Sequence, residues 1–357
     1  MTTTYPLRPL SLGELLDQAI RLYRRNFFKF VGIIALVQIP VTLLSLAVTL
    51  LTFDDYYATI LNPPTPTPDN PFAMFTPGYF IGIGSAYLLG LISFLLVQGI
   101  ASGALTRLVA DTYLGQPGGT VDAYRRIGKR WLPLVGTLIL YVILFVALVI
   151  WLIIPCVGWL SGPGLMLVFG GMILPMIAPA VVLENASGPG AIRRAWELIR
   201  RRFWWVLGFM FILYLFAWLV ISGPVALFSL GLNYVLPTTG LDEGTTLMIS
   251  TVLQSLVGLV FGVLYRPLQL ACTTLLYFDL RVRQEGLDLA LQTGGQEKSL
   301  SLSEMIAQSP TAPQTSILTW PEAGYIVGIG VAIFVVYIAL VAVIVASGLM
   351  ASGLLGG

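Results

Sequence analysis

The sequence predicts an all-α integral membrane protein: a six-span helical bundle of three interfacial-helix-plus-hairpin units, with an appended seventh transmembrane helix. Three observations predict it. Hydrophobic residues make up 57% of the 357 residues and charged ones only 10%, for a mean hydropathy of +0.88. A water-soluble globule of that composition lacks the polar surface to cover itself, so lipid must cover it. Seven apolar stretches come close to or exceed the roughly 20 residues needed to cross about 30 Å of hydrocarbon. The Lys and Arg residues fall in alternate connections, as they do when basic loops stay in the cytoplasm.

The first element is an amphipathic helix. Ser11 and Glu14 form an S-x-x-E capping box, and Leu12, Leu15, Leu16, Ala19, Leu22 and Tyr23 recur at helical spacing opposite Asp17, Arg21, Arg24 and Arg25. Such a helix sinks its apolar face to the acyl boundary while its arginines meet lipid phosphates. The first span, Phe30 to Phe53, is too long for the apolar core of a cleaved leader and is expected to stay in the mature chain. Residues 54–78 carry Asp54, Asp55 and Asp69 without Lys or Arg, which marks an outer loop. The second span, Tyr79 to Ala101, continues a stripe of Gly78, Gly82, Ala86 and Gly90 at spacing four, which lets helix backbones approach closely.

Basic residues in 107–131 place that connection in the cytoplasm, and Val121 to Trp131 within it repeats the amphipathic design. The third span, Leu132 to Ile154, the uncharged outer loop 155–164 and the fourth span, Leu165 to Leu183, follow; Pro175 and Pro179 interrupt the fourth. A third amphipathic stretch, Ala191 to Arg202, begins after Pro189, a residue suited to a first helical position. The fifth span, Phe203 to Leu230, leads to an outer loop, 231–245, with Asp242 and Glu243.

From Thr246 to Leu280 the chain is apolar except for Arg266, and as one helix this stretch is about 52 Å long. Acidic residues mark its outer end, and Arg281 and Arg283 its inner end, so it crosses once, with a bend expected at Pro267. Residues 1–291 form the six-span domain, and 292–320 a polar, proline-interrupted cytoplasmic linker with a short helix expected from Ser301 to Gln308. Residues 321–357 hold the seventh span, Gly324 to Ala346, and a short tail placed outside the cell membrane. Gly324, Gly328 and Ala332 form a second small-residue stripe there, available to this bundle or to a partner membrane protein.

The three amphipathic stretches share an order. AIRLYRRNFFKFVGIIAL (19–36), AYRRIGKRWLPLVGTLIL (123–140) and AIRRAWELIRRRFWWVLGFMFIL (191–213) each run from Ala through a basic pair and aromatics to a glycine in the apolar run. The pairs are Arg24 with Arg25, Lys129 with Arg130, and Arg201 with Arg202; the glycines are Gly32, Gly136 and Gly208. This is the signature of an internal repeat, and equally of basic and aromatic anchors used three times. The pairs are candidates for binding anionic lipid headgroups, with plain topological anchoring as the other reading.

Arg266 is the most unusual residue. A charge inside a span costs at least about 2.5 kcal/mol, so it should face the bundle and find a partner, with Glu184 first and Asp279 second in line. It either lines a polar cavity for an anion or snorkels to the interface. Gln38 beside Pro40, Gln98, Gln254 and Gln269 are the other intramembrane polar groups, read as interhelical hydrogen-bond donors or as the lining of a substrate path.

The segments PLRPLSLGELLDQAIRLYRRNF (6–27), VVLENASGPGAIRRAWELIRRRFW (181–204) and LLYFDLRVRQEGLDLAL (275–291) together resemble the glycerophosphoryl diester phosphodiesterase membrane-domain family, over roughly residues 6–291. The resemblance implies a six-span membrane domain with basic interfacial helices. It does not extend to phosphodiesterase activity, since the polar segment 281–320 is too short for a catalytic barrel.

Catalysis is not expected from the residues either. The chain has no histidine, and its Cys156 and Cys272 lie in separate apolar segments with no metal-binding spacing. No carboxylate cluster, phosphate loop or nucleophile elbow is present, so neither metal nor cofactor is expected. The membrane accounts for the arginines better than nucleic acid does. The expected role is a non-catalytic scaffold or accessory protein engaging anionic lipid and other membrane proteins. A passive lipid carrier using a cavity near Arg266 is the main alternative, and a regulatory module for a separate lipid enzyme a third.

Overall fold

The structure is a computed structural model that describes residues 7–52, 77–116, 118–294, 306, 309–311, 316 and 318–355. Among the described residues all regular structure is helical, and seven helices are long and apolar enough to cross a membrane. The chain is a multi-pass membrane protein by that measure. The expected outer loop with Asp54, Asp55 and Asp69 lies outside the described residues, as does the helix expected from Ser301 to Gln308 apart from Ile306.

The amphipathic helix α1 spans Leu12–Arg25, and its capping box is formed: Glu14 N–H donates to Ser11 Oγ at 3.4 Å and Ser11 N–H to Glu14 Oε2 at 2.8 Å. The Ser11 backbone bond and the Arg8 guanidinium pull the Glu14 carboxyl down to about 2. After a break at Asn26 the first long helix, α2, runs Phe27–Leu51. The second long helix is α3, Pro77–Phe94, a π-helical stretch Leu95–Ala101, and α4, Ser102–Tyr113. It continues well past Ala101, where the span was expected to stop, because the residues beyond are buried against protein and not exposed to water.

The short α5, Thr120–Ile127, passes through a tight turn Gly128–Arg130 into α6, Trp131–Trp151. The expected outer loop 155–164 is shorter than the sequence suggests. Helix α7, Val157–Met166, already occupies most of it, and continues through a π-helical stretch, Leu167–Ile173, into α8, Leu174–Glu184. This fourth long helix is the axis of the bundle, with 56% of its most apolar window buried, whereas the seventh buries only 6% and leaves the rest to lipid.

A tight turn reverses the chain below α8. Asn185 takes the left-handed conformation that ends a helix, and Gly188 has φ 53 and ψ −133, a region closed to side-chain-bearing residues. Gly188 N–H is held by Thr137 Oγ1 at 2.8 Å, and α9, Pro189–Arg200, starts with Pro189 at its first turn as expected. Helix α10, Phe203–Val235, and a turn at Leu236–Thr239 lead to α11, Glu243–Glu285, capped by Asp242. Hydrogen bonds from Thr245 hold the Asp242 carboxyl below its ordinary value. Helix α11 runs without interruption through Pro267, about 64 Å along its axis at 1.5 Å per residue. Helices α12, Leu287–Gly294, and α13, Trp320–Leu355, complete the chain.

The amphipathic helices were expected to lie with their apolar faces in lipid. The structure spends those faces on protein instead. Leu15 and Ala19 of α1 and Ala191, Ala195 and Ile199 of α9 are fully buried, in one core with Leu275 to Leu280 of α11. Helix α1 runs antiparallel beside the basic half of α11, tied at one end by Leu10 N–H to Asp279 Oδ1 (2.7 Å) and at the other by Tyr23 Oη to the Leu264 carbonyl (2.8 Å). Helix α5 packs on α4 and is fixed to α2 by Tyr124 Oη donating to the Ile33 carbonyl at 2.7 Å. The basic end is thus a folded platform of short helices, from which the apolar helices rise.

Candidate functional site

The platform is built around the last three turns of α11. Tyr277, Arg281 and Glu285 recur at spacing four and share one face; Asp279 and Arg283 share the next. Arg281 is completely buried. Its Nε meets Glu285 Oε2 at 2.8 Å and Glu184 Oε1 at 3.6 Å, and its two Nη atoms donate to the Ile306 carbonyl (3.1 Å) and Ser309 Oγ (2.6 Å). Glu184 is the last residue of α8 and also accepts from the Tyr277 hydroxyl.

The turn Asn185–Gly188 folds α9 back beneath α8, which puts Arg194 on the same carboxylates. Its Nε meets Glu184 Oε2 at 2.5 Å, and its Nη atoms hold both oxygens of Glu285 at 2.6 Å. Burial alone would lower the Arg194 pKa; the hydrogen bonds to Glu285 and Glu184 outweigh it and hold the guanidinium above its ordinary value. Arg194 and Arg281 against Glu184 and Glu285 make a charge-balanced cluster that joins α8, α9, α11 and the segment after α12.

Four further ion pairs, two of them sharing Asp111, brace the platform. Arg283 holds Asp279 at 2.9 Å and the Leu10 carbonyl at 2.6 Å. Asp111 of α4 sits between Arg107 (3.2 Å) and Arg126 of α5 (3.0 Å). Arg200 grips both oxygens of Glu322, at 2.6 and 2.9 Å, and the Ser316 carbonyl. Glu322 also accepts the Thr319 N–H at 2.8 Å, so the same carboxylate starts α13 and docks it on α9.

Arg266 is not with them. Glu184 and Asp279, its expected partners, are both held by other arginines, and among the described residues Arg266 has no ion pair. It lies one turn from Gly262, where the Arg266 Nε and the Gln38 Nε2 are both within 4 Å of the point a Cβ would occupy. Gln38 is 7% exposed, and its Oε1 has no hydrogen-bond partner. Gln98, Gln254 and Gln269 are half-buried.

Of the headgroup candidates, Arg24, Arg25, Arg130 and Arg201 are exposed at the basic end. Arg202 is half-buried with its Cζ 5.3 Å from the centroid of the Trp205 ring. Lys129 belongs to the turn before α6, and its side chain lies outside the described residues.

The small-residue stripes take different places from those the spacing suggests. Gly82 is buried, but Ala86 and Gly90 line an apolar crevice with Tyr141 and Phe145. Gly324, Gly328 and Ala332 are exposed. The close helix contact is made by Gly330 instead: a Cβ there would overlap the Leu160 carbonyl, and one on Gly164 would overlap the Ile326 carbonyl. The backbones of α7 and α13 touch at this crossing.

Beside this face of α13 lies an apolar cavity of about 660 Å³. Its walls come from α6 (Leu144), the fourth helix (Leu165, Phe169), α9 (Arg193, Trp196) and α13 (Ile326). The charge cluster and this cavity were not legible beforehand, because the arginines concerned fit the topological reading equally well. The available signal was the spacing of four that links Tyr277, Arg281 and Glu285, and Asp279 and Arg283. Compared with known proteins, the chain matches no family model, no curated protein and no solved structure.

Proposed function

We propose that this protein is a non-catalytic scaffold or accessory protein of the cell membrane, with its basic end in the cytoplasm, which engages anionic lipid and other membrane proteins. The division of its cations carries the reading. Arg194, Arg281, Arg283 and Arg200 are consumed by buried carboxylates, whereas Arg24, Arg25, Arg125, Arg130 and Arg201 at the same end are exposed and make no ion pair among the described residues. A rigid platform that leaves its surplus guanidinium groups outward suits a surface of lipid phosphates. The three-unit organisation and the resemblance to the phosphodiesterase membrane-domain family fit the same reading.

Each such cation near an anionic surface contributes about 1 kcal/mol. Replacing Arg24, Arg25 and Arg201 by Gln is therefore expected to lower the anionic lipid retained through gentle detergent purification, read by native mass spectrometry, by well over about tenfold. Retention equal to wild type would leave these residues as topological anchors alone. The proteins recovered alongside the wild type test the accessory role.

One observation favours a second reading, the lipid carrier: among the described residues Arg266 has no ion pair, and it shares the space around Gly262 with Gln38, whose Oε1 has no hydrogen-bond partner there. In proteoliposomes, Arg266→Gln should then abolish lipid translocation. It should also raise thermal stability, by up to about 2 kcal/mol, because an uncompensated charge is removed from the bundle. Wild-type vesicles in which no lipid moves would end the carrier reading.

A further inference from the structure

We infer that the cavity between the fourth helix and α13 is an acyl-chain site for an anionic phospholipid of the leaflet at the basic end. The inference deepens the lipid reading above and rests on it, but it uses a different surface from the exposed arginines.

Shape argues first. The cavity extends from Arg193 at the basic end to Leu144, which is thirteen residues, or about 20 Å, up α6 from its basic end. Half the hydrocarbon thickness of a bilayer is about 15 Å, so the space runs the depth of one leaflet. Its volume of about 660 Å³ falls in the range of ligand sites.

Chemistry argues second. The walls are aliphatic and aromatic, and the charged residue among them is Arg193, at the end where a headgroup would lie. Arg193 Nε is oriented by Glu197 Oε1 at 3.0 Å, one turn along α9. Guanidinium is the side chain best matched to a phosphate.

The way α13 is attached argues third. Glu322, Ile326 and Gly330 lie at spacing four on one face of α13. The first is clamped by Arg200, the last touches the backbone of α7, and Ile326 between them faces the cavity. Helix α13 is therefore held along this face, by the Ile326 carbonyl against Gly164 as well as at Glu322 and Gly330, and the cavity opens beside it on the Ile326 side chain. A chain from the leaflet can occupy that space without displacing the helix.

The test uses the full chain in vesicles that contain phosphatidylglycerol with a diazirine on its acyl chain. After photolysis, label is expected on peptides covering Leu165–Ile173 and Ile192–Trp196. Leu165→Trp should fill the cavity and lower that label by about tenfold, equivalent to about 1.4 kcal/mol. Leu318→Trp, at a cavity-lining position that is 50% exposed and tolerant of bulk, should act in the same direction. Label on Phe211 to Leu219 of α10, which faces lipid, should stay constant in both.

Arg193→Gln should weaken labelling by the anionic probe and not by a phosphatidylcholine probe with the same chain. Uniform label over all lipid-facing helices, or cavity label unchanged in both tryptophan variants, would overturn the site. Label obtained from a diazirine fatty acid alone would overturn the phospholipid assignment. Replacing Arg24, Arg25 and Arg201 by Gln should leave the cavity label intact, which separates failure of this site from failure of the headgroup reading.

Discussion

Arg281→Met is expected to destabilise the folded protein by about 3–5 kcal/mol, the cost of breaking a buried ion pair from one side. The substitution leaves Glu184 and Glu285, both at the centre of the platform, with Arg194 as the remaining guanidinium of the cluster. It also strips Ser309 Oγ of the guanidinium donor it accepts from and leaves the Ile306 carbonyl with the Ser309 hydroxyl alone. Pairing it with Glu285→Met restores charge balance, because Arg194 still faces Glu184, and the double variant should lose less than the single one. Thermal unfolding in detergent of the wild type, both single variants and the double variant measures this. A single variant within about 1 kcal/mol of wild type, or a double variant worse than either single one, would show that the cluster is solvated and not structural.

The sign of the pH dependence follows from the same geometry. The folded-state pKa of Arg194 is raised, so its contribution is complete below the pKa of a free guanidinium and is lost only as pH rises beyond that. Glu14 has the opposite sense: its folded value of about 2 means that its capping bonds are intact above the ordinary carboxylate pKa and are lost as pH falls toward that value.

The second large effect is expected at the crossing of α7 and α13. Gly330→Leu places a branched side chain where the Leu160 carbonyl now sits, and no rotamer avoids a clash that begins at Cβ. The helices must separate, which removes Ile326 from the core and takes away the wall that α13 gives the cavity. Helix α13 should then be held at its first turns only, by Arg200 on Glu322 and by Tyr325 against Phe203 and Trp204. Protease cleavage in the segment before Trp320, or crosslinking between cysteines placed on α7 and α13, reads the separation directly. Gly328→Leu is the control, since Gly328 is exposed and nothing lies within 4 Å of a Cβ there. Equal crosslinking in the two variants would mean that the helices do not meet at Gly330.

The long helices were legible from the chain because each rests on a local property, the length of an apolar run, and the capping box at Ser11 and Glu14 for the same reason. Gly330 was hidden by its own neighbours. The regular stripe of Gly324, Gly328 and Ala332 is more conspicuous, yet which face of α13 meets protein is set by Arg200 and Glu322, residues far apart in sequence. The charge cluster was hidden for a related reason. A basic residue near the end of a span satisfies the positive-inside pattern whether it faces phosphate or a buried carboxylate, so periodicity alone cannot separate Arg194 from Arg201. The apolar faces of α1 and α9 carried the same ambiguity, since a protein core and an acyl boundary select the same side chains.

The length of α11 bears on how the protein meets bilayers of different thickness. A helix of about 64 Å along its axis exceeds the hydrocarbon depth of about 30 Å by a factor of two. The surplus on one side is bolted into the ionic platform, so its height relative to the headgroups cannot adjust. Any mismatch must be taken up at the opposite end, where α10 and α11 are joined by the short turn at Leu236–Thr239 and the residues up to Asp242. A thinner membrane would leave that tip standing further out, while the arginine-bearing face keeps its level.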